Sequence, residues 1–445
     1  MGAIIEAMQE ILTNALFILA GILVVAWILW DVFQTVVVPR PTPTRIRLAR
    51  FLTRGMWRLW KLRANRAKTP LSREKLLGGF APLLVLTLVA SWVVGFIVGY
   101  GLVLYGLRAE VLNEPDLGTA IYQAGITVLT IGYGDVIAKG ALSRMTELLA
   151  AGTGLGTVAL GITYLFSLYG SFQRREELVT TLDARAGAPP SGVSMLETFA
   201  RLDLWEDLPR FLAEWEIWCA QVLDSHVAYP ILIFFRSSHD NESWVSALGA
   251  VLDAATLLVT SVAGGPKDQR VPTGQAILTV KGGGHLVEDL SQFLGFRGDG
   301  AVMVERAEFD TARQRLKRAG LTLKPDTDAS WAKFAEVRSG YATAINQMAG
   351  YLMTPPTTWI GDRSILPHGR RIEQVLPINS AARRAQVSAA ADGSAARSPT
   401  AFRGVPIVYL GDDDAGESVP VGASAADEVP VGASAGGPAP ASTDG

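Results

Sequence analysis

Residues 127–135 have the residue types that a backbone cation site needs. The stretch reads Thr127-Val128-Leu129-Thr130-Ile131-Gly132-Tyr133-Gly134-Asp135. Successive carbonyl oxygens can face one side only if neighbouring residues alternate between opposite-handed conformations, and glycine adopts the left-handed one at little steric cost. Gly132 and Gly134 are therefore predicted to be left-handed. In that conformation the carbonyl groups of the segment could replace the water shell of a cation.

The segments around this stretch distinguish a cation site from an ordinary glycine turn, which the tetrapeptide Gly-Tyr-Gly-Asp alone would fit equally well. Residues 117–129 form a predicted helix that is mostly apolar and too short to cross a bilayer. Apolar segments that are long enough lie on both sides, at 80–105 and 141–169. A short helix and a glycine loop between two spans favour the cation site.

This order of outer span, short helix, glycine loop and inner span resembles the two-span potassium channels of the bacterial pore-loop type, whose filter is close to TVGYG. The resemblance implies that the permeant K⁺ is coordinated at Thr130, Ile131, Gly132 and Tyr133, with Gly134 completing the selectivity filter. It also implies a Thr130 hydroxyl at the inner mouth, an outward-pointing Tyr133, an Asp135 carboxylate at the outer mouth, and Tyr122 and Thr127 on the pore helix.

Several positions depart from the pattern of that family. Tyr122 and Gln123 stand where many such channels have tryptophan, Ile126 where some have a buried glutamate, and Leu129 where threonine is common. Without the glutamate, the filter loses a hydrogen-bonded brace to Asp135. A second hypothesis therefore stays open: a weakly selective cation channel, or a membrane-anchored sensor or scaffold that retains the pore fold.

Composition divides the 445 residues into a membrane part and a more ordinary remainder. Hydrophobic residues make up 49% and charged residues 18%, but three very apolar blocks fall in the first 170 residues. Cys219 is the only cysteine, so it is expected to be a small buried hydrophobe in a reducing compartment. The chain has no nucleophile elbow, zinc helix motif or kinase phosphate loop, so we expect no enzyme, no cofactor beyond the permeant ion and no nucleic-acid partner.

The first apolar block, residues 12–37, is long enough to cross the hydrocarbon core and has Asp31 as its one formal charge. An ionisable group at membrane depth can mark a functional site. Asp31 lies in the last third of the span, however, and the favoured interpretation is that it reaches the interface or pairs with a nearby arginine.

Residues 39–78 hold twelve lysines and arginines against one acid, Glu74, which is typical of a cytoplasmic loop. Basic residues recur at steps of three and four, beside apolar and aromatic ones: Arg47, Arg50, Arg54, Arg58 and Lys61. The pattern predicts an amphipathic helix on the inner leaflet. A voltage sensor is disfavoured because only one span precedes the pore.

The inner span contains Gly152, Gly154 and Gly156. A dinucleotide-binding loop is excluded, because that fingerprint needs a preceding strand. Two interpretations stay open: close helix packing through small residues and a bend at Gly154, which has the spacing of the gating hinge in related channels. Three threonines either line an aqueous cavity or bond back to their own helix: Thr153, Thr157 and Thr163.

The remainder of the chain is predicted to be soluble and mostly helical, at 194–225, 242–262 and 301–353. Ile231 to Phe235 fits a buried strand or a helix segment equally. A polar cluster is more readily a capped loop than a ligand site: Asp224, His226, Arg236, His239, Asp240 and Glu242. Residues 263–300 are glycine-rich and predicted to be looped. From about 379 onward the composition predicts a low-complexity acidic tail.

Together these observations predict an all-α membrane protein: a pore-loop cation channel with an extra N-terminal span, and a mostly helical cytoplasmic domain with minor β structure. The expected divisions are 1–11, an extracellular N-terminus; 12–38, the first span; 39–78, the basic interfacial segment; 79–170, the pore module; 171–378, the cytoplasmic domain; and 379–445, the disordered tail. The expected function is passive K⁺ conduction across the cell membrane, gated at the inner helix by the cytoplasmic domain. Expected partners are potassium ions, the lipid bilayer, three further copies in a homotetramer, and an unknown cytoplasmic ligand.

Overall fold

The computed structural model describes residues 1–38, 47–237, 243–296 and 300–355, together with Thr357 and Trp359. Thirteen α-helices and two short strands lie in these ranges. The helices of the N-terminal half are α1 (Gly2–Val32), α2 (Leu48–Asn65), α3 (Pro70–Gly78), α4 (Phe80–Gly106), α5 (Leu117–Val128) and α6 (Ala141–Ala186). Three segments are long and apolar enough to cross a membrane: Ile4–Val37, Pro70–Gly106 and Ala141–Ala186.

Helix α1 begins at Gly2, ten residues before the expected start of the first span, and ends in a π-helical turn at Phe33–Val37. It packs antiparallel on α4 along a line of glycines. A Cβ atom at Gly21 would lie 2.5 Å from the carbonyl oxygen of Gly99, and one at Gly95 would lie 2.7 Å from Ile28. The two helices therefore approach backbone to backbone, as small residues allow in membranes.

Asp31 is buried at the end of this pair and accepts two hydrogen bonds. One comes from the indole Nε1 of Trp92 on α4, at 2.8 Å, and the other from the backbone N–H of Leu48, the first residue of α2, at 3.0 Å. Asp31 therefore ties the first span to both α4 and the basic helix. Asp31 is neither exposed nor ion-paired with an arginine among the described residues, so its observed partners differ from the expected ones.

Helix α6 is one continuous helix of 46 residues and runs well past the expected end of the inner span at residue 169. Its buried side chains recur every three or four residues, from Ala150 through Leu168 to Leu182. The same face therefore packs against the pore helices first and against the C-terminal region afterwards. The helix ends at Gly187, which has a left-handed φ of 81°.

The C-terminal region, residues 187–355, is a bundle of helices around α9. Its helices are α7 (Gly192–Arg201), α8 (Leu208–Ala228), α9 (Trp244–Thr260), α10 (Thr273–Leu294), α11 (Arg306–Arg318), α12 (Thr327–Ser339) and α13 (Ala342–Leu352). Strands β1 (Val262–Gly264) and β2 (Thr322–Leu323) form one antiparallel pair. Nearly every residue of α9 is buried, and Trp205, Trp215 and Trp218 supply core volume.

Two expectations for this region are resolved. Most of residues 263–300 are not looped, since α10 spans Thr273–Leu294 and runs straight through Gly282, Gly283 and Gly284. A Cβ at Gly283 would lie 2.5 Å from the Leu252 side chain, so this glycine serves close packing of α10 on α9. The apolar run from Ile231 is a 3-10 helix at Pro230–Phe234. The expected acidic tail lies outside the described residues.

Candidate functional site

Helix α5, the expected pore helix, is capped and packed so that its C-terminal end leads into the glycine loop. Asp116 accepts a hydrogen bond from the backbone N–H of Thr119 at 2.8 Å, which caps the helix start. Ala120, Ala124 and Val128 are buried at successive turns in the cluster that α4 lines. The helix stops at Val128 because the chain then turns left-handed at Thr130, whose φ is 55°.

Left-handed residues alternate along the loop. Gly132 has a φ of 63° and Gly134 a φ of 77°, while Ile131 and Tyr133, between these residues, do not have positive φ. Thr130 adopts the left-handed conformation without the steric freedom of glycine, which was not foreseen. Such a conformation costs a non-glycine residue about 1–2 kcal/mol, so neighbouring bonds must hold it in place.

Those bonds come from the pore helix. The carbonyl oxygen of Ile126 accepts hydrogen bonds from the N–H groups of Ile131, at 2.7 Å, and Gly132, at 3.3 Å. The N–H of Thr130 donates to the carbonyl of Thr127 at 2.9 Å. The amide groups at the start of the loop thus point back to α5.

The carbonyl oxygens of residues 130–134 accept no backbone hydrogen bond from any described part of the chain. The loop is also exposed: Ile131 is 47% and Tyr133 70% accessible. Carbonyls that accept no backbone hydrogen bond, on an exposed loop, leave this backbone available to a ligand outside the chain.

Tyr122 and Gln123, two of the residues that depart from the family pattern, lie beside acidic side chains. Tyr122 lies near Asp135, whereas Ile126 can offer that carboxylate no hydrogen bond from its side chain. Gln123 is buried and donates from its amide to Glu147 on α6. The loss of a glutamate brace to Asp135 therefore stays a prediction.

Gly154 is the point at which α6 crosses the pore helix. A Cβ there would lie 2.8 Å from the carbonyl carbon of Val128 and closer still to its oxygen, whereas Gly152 and Gly156 have no neighbouring atom within 4 Å. Close packing therefore applies to Gly154 alone of the three, and α6 has no break at this residue. Thr153 and Thr163 bond back to their own helix at 2.9 and 3.0 Å.

Arg175 follows the apolar part of α6 along the chain and is fully buried, and its contacts join α6 to the C-terminal region. Its guanidinium donates to the carbonyls of Leu232, at 3.0 Å, and Phe235, at 2.7 Å, and pairs with Glu176 at 2.8 Å. It also lies 3.3 Å from Nε2 of His226. The segment that receives these bonds, Pro230–Phe235, also contacts the membrane helices, since Phe234 packs on Phe80 of α4 and Trp57 of α2.

The protonation of His226 follows from its neighbours. Arginine can only donate, so Nε2 must accept and the ring proton sits on Nδ1, which donates to the carbonyl of Val222 at 2.8 Å. Burial first, and then the charge of Arg175, lower the pKa of His226 to about 3. Burial also raises the pKa of the Cys219 thiol to about 12, as expected for a buried hydrophobe.

Among the described residues, which include only part of the polar cluster near residue 230, no group of three histidine, cysteine or acidic side chains that could hold a metal ion occurs. His226 belongs to the Arg175 cluster. Arg236 pairs with Glu74 of α3, at 2.8 Å. His239, Asp240 and Glu242 lie outside the described residues.

Comparison with known proteins places this site within a family. Residues 83–170 match a family model described as an ion channel. They form an ion channel domain. The match covers most of α4, the whole of α5, the glycine loop and the apolar part of α6, which are the elements that position the loop.

A further relative is known from Bacillus subtilis (strain 168), where it bears the name uncharacterized membrane protein YdjJ. It is 25% identical over 186 residues, which are 41% of this chain, and this chain spans about half (53%) of its length. No solved structure matches the chain significantly. Together with the three apolar helices, these comparisons identify a multi-pass membrane protein with an ion channel domain.

Sequence reasoning missed two contacts of the domain. The Gly95-x-x-x-Gly99 spacing on α4 is a recognisable helix-packing motif in the sequence, and it explains where the first span packs on α4. The Arg175 cluster was not readable, because its carbonyl partners lie some sixty residues away along the chain.

Proposed function

We propose that the protein is a potassium-selective channel whose filter is Thr130–Gly134. The observation that carries this proposal is the alternation of left-handed residues at Thr130, Gly132 and Gly134. Such alternation turns successive carbonyls toward one side, where they replace the hydration shell of K⁺. The carbonyls of the loop, which accept no backbone hydrogen bond among the described residues, and the Asp135 carboxylate that follows them support the same function.

The working channel in this proposal is a homotetramer. One loop supplies one side of a cation cage, and potassium filters combine four. Apolar side chains of the loop and of α6 are exposed in the single chain, which supports their burial against other copies: Leu129, Ile131, Tyr133, Leu148, Leu155 and Phe166. Neighbouring copies around a cyclic axis would bury these side chains.

Gating in this proposal acts on α6 through the C-terminal region. The Pro230–Phe235 segment is bonded to Arg175 on the inner helix and packed on Phe80 of the outer helix. A ligand that displaces this segment would therefore act on both helices of the pore together. Gly154 remains the candidate hinge.

Conduction is tested with purified protein in planar bilayers under opposed K⁺ and Na⁺ gradients. A potassium-selective pore reverses near the K⁺ equilibrium potential, about 59 mV for a tenfold gradient. Gly132→Ala, which forces alanine into a φ of 63°, should abolish selectivity, whereas Gly125→Ala has ordinary room in α5 and should conduct normally. A reversal potential near zero would contradict potassium selectivity, and silence of an assembled tetramer would favour the membrane sensor.

Orientation is proposed with the N-terminus outside and residues 39–78 inside, because that loop holds twelve basic residues and the first fourteen residues hold none. Cysteine labelling of intact cells tests this orientation. Ile5→Cys should react with an impermeant maleimide and Asn65→Cys should not, while the buried Cys219 gives no background. The reverse labelling pattern would refute this orientation.

A further inference from the structure

A basic groove lies between the α2–α3 pair and the end of α13. It is open and has a volume of about 530 Å³. Seven residues line it, none of them acidic: Arg58, Lys61, Leu62, Asn65, Arg73, Gly350 and Met353. A concave site with three cations and no anion is built for a negatively charged ligand.

The three cations of the groove are not neutralised within the described chain. No described acid forms an ion pair with Arg58, Lys61 or Arg73. The Nε atom of Arg73 is buried and has no hydrogen-bond partner among the described residues. The acid next to Arg73 is Glu74, which is already paired with Arg236 at 2.8 Å. Lys61 lies 5.0 Å above the Tyr351 ring, which holds its ammonium group beside the groove.

The groove also adjoins an apolar strip of the same helix. Phe51, Leu59 and Leu62 of α2 are 75%, 50% and 54% exposed, while Trp57 and Ala64 on the opposite face are buried. At 100° per residue, Arg54, Arg58 and Lys61 fall along one edge of this strip. An interfacial helix with a hydrophobic strip beside a row of cations suits the boundary between headgroups and acyl chains.

The position of the groove matches that boundary. Helix α2 follows the end of the first span and is tied to it by Asp31, and α3 leads directly into α4 at Phe80. The C-terminal end of α1 and the N-terminal end of α4 lie on the same side of the membrane. The groove therefore lies on that side, opposite the filter.

We propose that this groove binds the phosphate headgroup of an anionic membrane lipid, with Arg58, Lys61 and Arg73 around the phosphate and the acyl chains along Phe51, Leu59 and Leu62. Because α13 forms one wall, a bound lipid connects the interfacial helix to the C-terminal region. Free phosphate shares the headgroup chemistry, but the adjoining apolar strip favours the lipid. The site does not depend on conduction, so it stands or fails separately from the channel function.

The test uses the full-length protein in mild detergent and counts retained lipid by native mass spectrometry. Phosphatidylglycerol and phosphatidylcholine are added in parallel to wild type, to the groove variant Arg58→Gln/Lys61→Gln/Arg73→Gln, and to the control Arg63→Gln/Arg66→Gln/Lys68→Gln. The control removes the same charge from exposed positions of the same segment outside the groove. We expect the groove variant to lose phosphatidylglycerol at least about tenfold and the control less than about twofold.

Equal losses in the two variants would overturn the proposal, because overall charge alone would then explain binding. Equal retention of the two lipids by wild type would also overturn it. Millimolar inorganic phosphate that displaces the lipid fully would assign the groove to free phosphate instead. If the triple variant does not fold, Lys61→Gln alone must still reduce phosphatidylglycerol binding relative to Lys68→Gln, and no difference between these single variants would refute the site.

Discussion

Replacing Gly154 by alanine tests the contact that holds the pore helix against α6. The added Cβ would lie 2.8 Å from the carbonyl carbon of Val128, so the two helices must separate by at least about 0.7 Å to reach an ordinary contact of about 3.5 Å. Overpacking of this kind costs about 1–3 kcal/mol. The obstacle is backbone, which cannot rotate out of the way as a side chain could.

Gly152→Ala is the matched control, because nothing lies within 4 Å of its Cβ and both changes raise helix propensity by the same amount, about 1 kcal/mol. The difference between the two variants therefore isolates the packing cost. We expect Gly154→Ala to be less stable than Gly152→Ala by about 1–3 kcal/mol in unfolding followed by tryptophan fluorescence in detergent. Because Val128 is two residues from Thr130, the reversal potential should shift in the same variant. Equal stability of the two variants would refute the crossing at Gly154.

Three further predictions concern the C-terminal region. Arg175→Met leaves the carbonyls of Leu232 and Phe235 without donors and should lower the free energy of unfolding by about 3–5 kcal/mol. The control Arg174→Gln, at the exposed neighbouring position, should change it by less than about 0.5 kcal/mol. Similar losses in the two variants would contradict the burial and hydrogen bonding of Arg175. The pKa of His226 falls from its ordinary value of 6.5 to about 3 on folding, so its contribution to stability is present above pH 6.5 and is lost as the pH falls. Between pH 7 and pH 5, wild type should therefore lose about 2 kcal/mol more stability than His226→Gln, measured by urea unfolding at both pH values. Parallel losses would show that folding does not lower the pKa of His226. Because the pKa of Cys219 is about 12, raising the pH from 7 to 9 should leave maleimide labelling of the native protein slow, and rapid native labelling would contradict its burial.

The sequence was informative where a local rule decides the structure. The pore helix is predicted at 117–129 and observed at Leu117–Val128, because an aspartate cap and a run of apolar residues determine its bounds. The left-handed glycines of the loop follow equally from a local rule, since only glycine takes that conformation freely. The left-handed conformation of Thr130 does not follow from a local rule, because hydrogen bonds to the pore helix impose it.

Tertiary packing decided the features that were missed. Gly282, Gly283 and Gly284 are poor helix formers, so local propensity predicts a loop. The close approach of α10 to α9 at Gly283 outweighs that preference. In the same way, the apolar run predicts an inner span that ends at residue 169, but the buried face of α6 continues through Arg175 and the helix runs on to Ala186.

The uninterrupted length of α6 has a mechanical consequence. At about 1.5 Å per residue, the 46-residue helix is roughly 69 Å long, more than twice the thickness of the hydrocarbon core. Arg175 lies 21 residues beyond Gly154, or about 31 Å along this rod. A tilt of about 5° pivoting at Gly154 therefore carries the guanidinium sideways by nearly 3 Å, farther than its hydrogen bonds to Leu232 and Phe235 can stretch. The helix thus acts as a lever, and a small tilt in the membrane must swing the attached bundle as a whole.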